Sequence, residues 1–104
     1  MEFKKYRWSK DYEAAEEELE ILLGRISKDA VRYQLEAYEQ QMPNKLSSLR
    51  RIWCAEGSMT MEITGKRLSL QPGDAVDIQP AVAHGATAGV AGCVWYEASV
   101  AIRL

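Results

Sequence analysis

His84 is the only histidine in the chain. It closes the segment Leu70-Gln71-Pro72-Gly73-Asp74-Ala75-Val76-Asp77-Ile78-Gln79-Pro80-Ala81-Val82-Ala83-His84, which is a Pro-Gly-Asp turn, a short apolar-alternating run, a second proline and then an imidazole. An imidazole can ligate a metal, serve as a general base near neutral pH, or simply hydrogen-bond in a core. In an apolar stretch with no partner carboxylate in view, the core role is the commoner one. Three other residues could do chemistry. Arg50 can hold a carboxylate or phosphate by two parallel N–H donors. Asn44 offers a weak carbonyl donor. Cys54 is a nucleophile only where its thiolate is stabilised. It stands inside the apolar run Ile52-Trp53-Cys54, and there is no second histidine to activate it. The residues therefore assign no catalytic group. Asp74 and Asp77 read as a turn residue and a solvent-facing strand residue, and Met59 and Met61 as an apolar lining.

The elements that must position these groups fall into two regions. Residues 9–24 have helical spacing: Ser9 is an N-cap, Asp11 and Glu13 lie in the first turn, and Tyr12, Ala15, Leu19 and Leu22 form one apolar stripe. Glu16, Glu17, Glu18 and Glu20 mostly take the other side, and Gly24 is a natural stop. The period then changes to two. Val31, Tyr33, Leu35 and Ala37 alternate with Arg32, Gln34, Glu36 and Tyr38, and Met42-Pro43-Asn44-Lys45 breaks the pattern. Short strands are expected at 49–55, 58–63, 67–70, 75–78 and 93–102, separated by Glu56-Gly57, Thr64-Gly65-Lys66, Gln71-Pro72-Gly73-Asp74 and Gly89-Val90-Ala91-Gly92. In the last strand Val94, Tyr96 and Ala98 share one face, and Trp95, Glu97 and Ser99 share the other.

Glu56-Gly57 after a strand, the hairpin around Gly65, Pro72-Gly73-Asp74, and His84 eleven residues after Gly73 together resemble the small single-domain bacterial cupins. The resemblance implies a mainly β fold: a small jelly-roll barrel (double-stranded β-helix) over 29–104, with a helical lead-in over 1–28, as one domain. It departs from the family pattern at Pro80, which comes one residue late, at Ala81 in place of the usual glycine, and at Ala88 in place of a frequent asparagine. Metal-binding cupins carry two histidines one residue apart, then a glutamate, then a glycine seven positions on. Counted back from Gly57, the glutamate position holds Arg50, and the histidine positions fall near Leu46 and Asn44. A catalytic Fe, Mn or Zn centre needs three or four converging donors. The metal motif is thus degenerate, with His84 the one ligand left should a metal bind at all.

The expected function is a non-catalytic or small-anion-binding module without a cofactor, its candidate ligand residues being His84, Arg50, Asn44 and Cys54. The plainer role for Arg50 is an ion pair with Glu56 or Glu97, or a position at the barrel rim. The alternative is a cupin enzyme of isomerase, dioxygenase or lyase type, with an atypical divalent metal or a metal-free site at His84. At 104 residues and a net charge of −2, nothing favours nucleic acid or anionic membrane as a partner. No apolar run approaches the ~20 residues of a membrane span. No apolar segment follows Met1-Glu2-Phe3-Lys4-Lys5, so a cytoplasmic protein with two reduced, buried thiols is expected. A barrel this short leaves strand edges to be paired, and a homodimer is expected.

Overall fold

The computed structural model describes residues 3–9, 17, 19, 21, 30–44 and 48–100. Seven strands follow in order: β1 (Phe3–Arg7), β2 (Val31–Leu35), β3 (Gln40–Asn44), β4 (Leu49–Ile63), β5 (Lys66–Leu70), β6 (Asp74–Ile78) and β7 (His84–Val100). All their pairings are antiparallel. The backbone of the fold is the β4–β7 ladder, which runs from Leu49 opposite Val100 to Ile63 opposite His84. A straight strand of the 17 residues of β7 would be longer than the molecule's 35 Å principal extent, at roughly 3.3 Å per residue. The ladder therefore has to bend.

The bend lies where the register shifts, between Cys54 and Glu56 and again between Gly57 and Met59. Gly57 and Gly92 both adopt left-handed backbone there, at φ 69° and 73°. A Cβ on Gly57 would stand 2.1 Å from the Gly92 carbonyl oxygen. The irregularity also reverses side-chain parity, as an unpaired residue must. Before it Ile52 and Cys54 point into the core; after it Met59, Met61 and Ile63 do. On β7 the inward set changes from Ala86 and Ala88 to Cys93 and Trp95. One half-ladder carries β6, β1 and β2; the other carries β5 and β3. Their inner faces close on one apolar core with Ile52, Met59, Met61, Ile63, Leu70, Ile78 and Trp95 all nearly inaccessible.

The outer face of the first half is buried as well. Trp53, Ala55, Ala75, Val94 and Ala98 pack there with Leu19, and Tyr6, Trp8 and Tyr96 border them. The expected helix over 9–24 otherwise lies outside the described residues, and of its apolar stripe Leu19 alone is described, fully buried. β1 is fastened over this sheet by Asp74. Its carboxylate accepts from the Gln71 backbone N–H at 2.9 Å and from Arg7 at 2.9 Å, while its carbonyl accepts from the Trp8 indole at 2.9 Å.

Several local expectations need correction. Gln40–Asn44 is strand β3, not a break; it pairs with the start of β7, and Pro43 is tolerated at a register shift between Gln41 and Asn44. The strand begun at Val31 ends at Leu35, and Tyr38 takes a left-handed turn conformation at φ 61°. The 89–92 segment lies within β7, so it bends that strand without separating two. β1 was not foreseen, because three cations in Phe3-Lys4-Lys5-Tyr6-Arg7 mask its alternation. Asp77 is not merely solvent-facing: Arg51 donates to both its oxygens at 2.8 and 2.9 Å, and the Tyr6 hydroxyl donates at 3.1 Å. Among the described residues no helix is long and apolar enough to cross a membrane.

Gly57→Ala is expected to cost about 2–4 kcal/mol, combining a left-handed alanine with a backbone clash. Gly65→Ala, at φ 83° but with nothing within 4 Å of its Cβ, should cost only about 1 kcal/mol. Urea unfolding of both variants checks the contrast, and equal losses would locate the bend constraint elsewhere.

Candidate functional site

The beginning of β4 lies between the end of β6 and the end of β7, while the end of β4 and the end of β3 both pair with the start of β7. Arg50 stands opposite Ile78 on one side and Ser99 on the other. It shares the inward parity of Ile52 and Cys54, so its side chain enters the mouth of the barrel, with 18% exposure. There Nε donates to the Glu97 Oε2 at 3.0 Å, and one terminal nitrogen lies in ion-pair contact with the same oxygen at 2.8 Å. The other terminal nitrogen donates to Ser99 Oγ at 2.6 Å, and Ser99 Oγ lies 3.1 Å from Ser48 Oγ. Glu97, only 7% exposed, accepts on Oε1 from the Trp95 indole at 3.2 Å. The Trp95 ring stacks on Tyr33, centroids 5.3 Å apart and planes 13° from parallel. One connected network thus runs Ser48, Ser99, Arg50, Glu97, Trp95, Tyr33. Without Arg50 a carboxylate this deep would be strongly disfavoured as a charge.

His84 opens β7 opposite Ile63 and is 5% exposed. Its Nδ1 lies 3.1 Å from the Val82 carbonyl oxygen. A carbonyl only accepts, so Nδ1 carries the proton and the lone pair sits on Nε2. The preceding connection is tied by Val82 N–H to the Gln79 carbonyl (3.4 Å) and by Thr64 N–H to the Ala83 carbonyl (3.2 Å). Ala81 stands there at φ 63°, in the left-handed region that favours glycine. Asn44 is the register partner of His84 across β3 and β7. The register therefore sets Asn44 beside His84, whereas Arg50 belongs to the other end of the β4–β7 ladder, opposite Ile78 and Ser99. Cys54 does not join them. It faces the core near the bend, fully buried, with its Sγ 3.9 Å from the Leu70 carbonyl oxygen. Burial pushes its thiol from 9.0 up to about 12, and the Cys93 thiol up to about 11 for the same reason. Both are free thiols. Neither is a nucleophile near neutral pH.

Of the two acids read as partners for Arg50, the structure pairs it with Glu97; Glu56 is exposed. The indole donor and the two serine hydroxyls were not foreseen as part of the site. Their signal was the period-two placement of Trp95, Glu97 and Ser99 on one face of β7. Among the described residues, no group of three or more His, Cys, Asp or Glu side chains converges as a metal site would require.

No family model matches the sequence. No curated protein matches it either. Solved structures do. A DUF861 family protein from Thermotoga maritima superposes with a TM-score of 0.65 at 11% identity, over 95% of this chain and 100% of that one. A cupin superfamily protein from Desulfitobacterium hafniense gives 0.64 at 8% identity, over 96% and 78%. An RmlC-like cupin from Shewanella frigidimarina gives 0.61 at 20% identity, over 65% of this chain and 60% of that one, so this chain spans less than two thirds of its length.

Removing one member of the Arg50–Glu97 pair strands a charge at the barrel mouth. Arg50→Met and Glu97→Gln are each expected to lose about 2–3 kcal/mol, discounted from a fully buried pair because Arg50 keeps some solvent. The double variant should lose at least ~1 kcal/mol less than the sum, and additive losses in denaturation would show that the pair contributes no coupling. The thiols give a second expectation. The folded chain holds protons on Cys54 and Cys93 that the unfolded chain releases near pH 9.0, so stability is intact below that pH and falls as pH rises toward about 11 to 12. A urea midpoint unchanged across that window would contradict it.

Proposed function

For a small cupin-fold chain whose open end carries a guanidinium where the family motif has a carboxylate ligand, we propose a metal-independent, non-catalytic module that binds a small anion. The carrying observation is the state of Arg50. Its plane is held by Glu97 and Ser99, yet of five N–H donors two make hydrogen bonds to described residues, with one terminal nitrogen also in ion-pair contact with Glu97. One donor remains on each terminal nitrogen. A carboxylate or phosphate takes such a pair without the guanidinium having to be ordered first. Glu97 offsets much of the cation's charge, so the affinity expected is modest, in the range of about 0.1–10 mM. His84, with an acceptor lone pair on Nε2, suits a ligand that also bears a hydroxyl.

The enzyme reading draws on the same imidazole, since Nδ1–H bonded to a backbone carbonyl leaves Nε2 as a coordinating atom. The residues present do not fit a cupin metal centre. His84 supplies one nitrogen, Asn44 stands opposite it in register, and Arg50 adds a positive charge where a dication needs a negative ligand.

Calorimetric titration of untagged protein with acetate, lactate and inorganic phosphate tests the proposal. Saturable heats are expected for at least one of them. The charge-neutral double variant Arg50→Met/Glu97→Gln should lose them while still unfolding cooperatively. Near-stoichiometric iron, manganese or zinc by elemental analysis would overturn the proposal, as would anion binding that survives in the double variant.

A further inference from the structure

The outer faces of the two half-ladders differ. That of the first half is apolar and covered. That of the second half is polar, and its side chains stand in rows across the strands. Gln40 of β3 is opposite Thr87 of β7, Thr87 is opposite Thr60 of β4, and Thr60 is opposite Ser69 of β5. In the next row Gly85 is opposite Glu62, and Glu62 is opposite Arg67. Met59, Met61, Ile63, Ala86 and Ala88 belong to the core, so by parity these rows face outward. Long side chains stand at the margins and short ones between them. Gln40, Glu62 and Arg67 are exposed, Thr60 and Thr87 are half-buried, and Gly85 has no side chain to fill its place. The result is a cleft of about 240 Å³ lined by Gln40, Thr60, Glu62, Arg67 and Thr87. That is just under the ~300 Å³ at which drug-sized pockets begin, which leaves room for one small molecule.

The chemistry of the lining selects the occupant. Arg67 Nε lies 3.3 Å from Glu62 Oε1, so the cleft carries no net charge. An anion would meet Glu62, and a metal cation would meet Arg67. The remaining lining groups, two hydroxyls and a primary amide, each donate and accept. Among the described residues no hydrogen bond engages the side chains of Gln40, Thr60 or Thr87. A sugar has the same dual character, because every hydroxyl both donates and accepts, and adjacent hydroxyls suit a carboxylate set beside a guanidinium. The ion pair is exposed and therefore weak, so a ligand can share its atoms at little cost. We propose that this outer cleft binds a neutral saccharide through Gln40, Thr60, Thr87, Glu62 and Arg67. It uses none of the residues of the Arg50 network, and its contacts are few and open to water, so a Kd of about 1–10 mM is expected.

Amide chemical shifts of isotope-labelled protein test this by titration to about 100 mM, some ten times the weakest Kd expected. A free sugar and the end of a longer glycan share this chemistry. D-glucose, D-galactose and D-mannose probe the first, and maltose and lactose the second. At least one should give saturable shifts centred on residues 60, 62, 67 and 87. Thr60→Val and Thr87→Val keep the β-branched shape and remove only a hydroxyl. Each should weaken binding about threefold, and the two together about tenfold. Arg67→Ala, at a side chain 79% exposed, should weaken it similarly while leaving the urea midpoint unchanged. The Arg50→Met/Glu97→Gln variant should bind the sugar as the parent does, which separates this site from the anion site. Absence of saturable shifts with all five sugars overturns the proposal. Binding that is unchanged in both the double valine variant and Arg67→Ala overturns it equally, as do acetate or phosphate saturating the same amides at lower concentration than any sugar.

Discussion

Everything in this molecule depends on the close approach of two backbones at Gly57 and Gly92. A ladder of this length cannot stay flat within so small a chain, and it turns where Gly57 carries no Cβ to strike the Gly92 carbonyl and Gly92 none to strike the Leu35 carbonyl. The irregularity does more than bend the sheet. By shifting parity it keeps an apolar side chain facing inward on both sides of the corner, so a pair of continuous strands contributes to both walls of one core. The corner divides the ladder into two arms, one ending at Ile63 with His84 and the other at Leu49 with Val100, beside Arg50 and Glu97.

What gathers there is polar and largely self-satisfied. The buried carboxylate of Glu97 has partners on both oxygens, and none of the buried side-chain nitrogen or oxygen atoms of the described residues is without one. Such networks fix geometry because each member limits the rotamers of the next. Trp95 is the hinge of this arrangement. It fills the core with its ring, stacks on Tyr33, and commits its one polar atom to the acid that holds Arg50. Built this way, the Arg50–Glu97 network is ordered in advance and carries little net charge.

The sequence was most legible where backbone geometry demands particular residue types. Pro72-Gly73-Asp74 marked its turn, and Gly73 does take φ 92° there. The spacing from that turn to His84 indicated the barrel, and the strands of residues 49–78 were readable from alternation and turn residues. Legibility failed where tertiary context overrides local pattern. β1 has a cationic sequence that makes sense only once Asp74 and the outer sheet face lie beneath it. β3 contains a proline that would end a strand in isolation but fits at a register shift. At the site, Arg50 was found by counting from Gly57, whereas Trp95, Glu97 and Ser99 come from a strand 45 to 49 residues away. No local signal joins residues that far apart.

The hydrogen bond between Ser48 and Ser99 spans 51 residues, and it belongs to the same ladder whose inner end closes at Ile63 and His84. The ladder therefore has a natural order of assembly. The inner end closes the shorter loop and loses less chain entropy, and each outward pair is then brought near by the one before it. Gly57 and Gly92 lie partway along that path, so zipping must pass the corner before the Arg50–Glu97 pair can form. A topology dominated by such distant pairings belongs among slow folders, in the millisecond-to-second range. The Arg50–Glu97–Ser99 network at the outer end of the ladder is then the last part to be made, while β2 can lie against β7 as soon as the corner has formed.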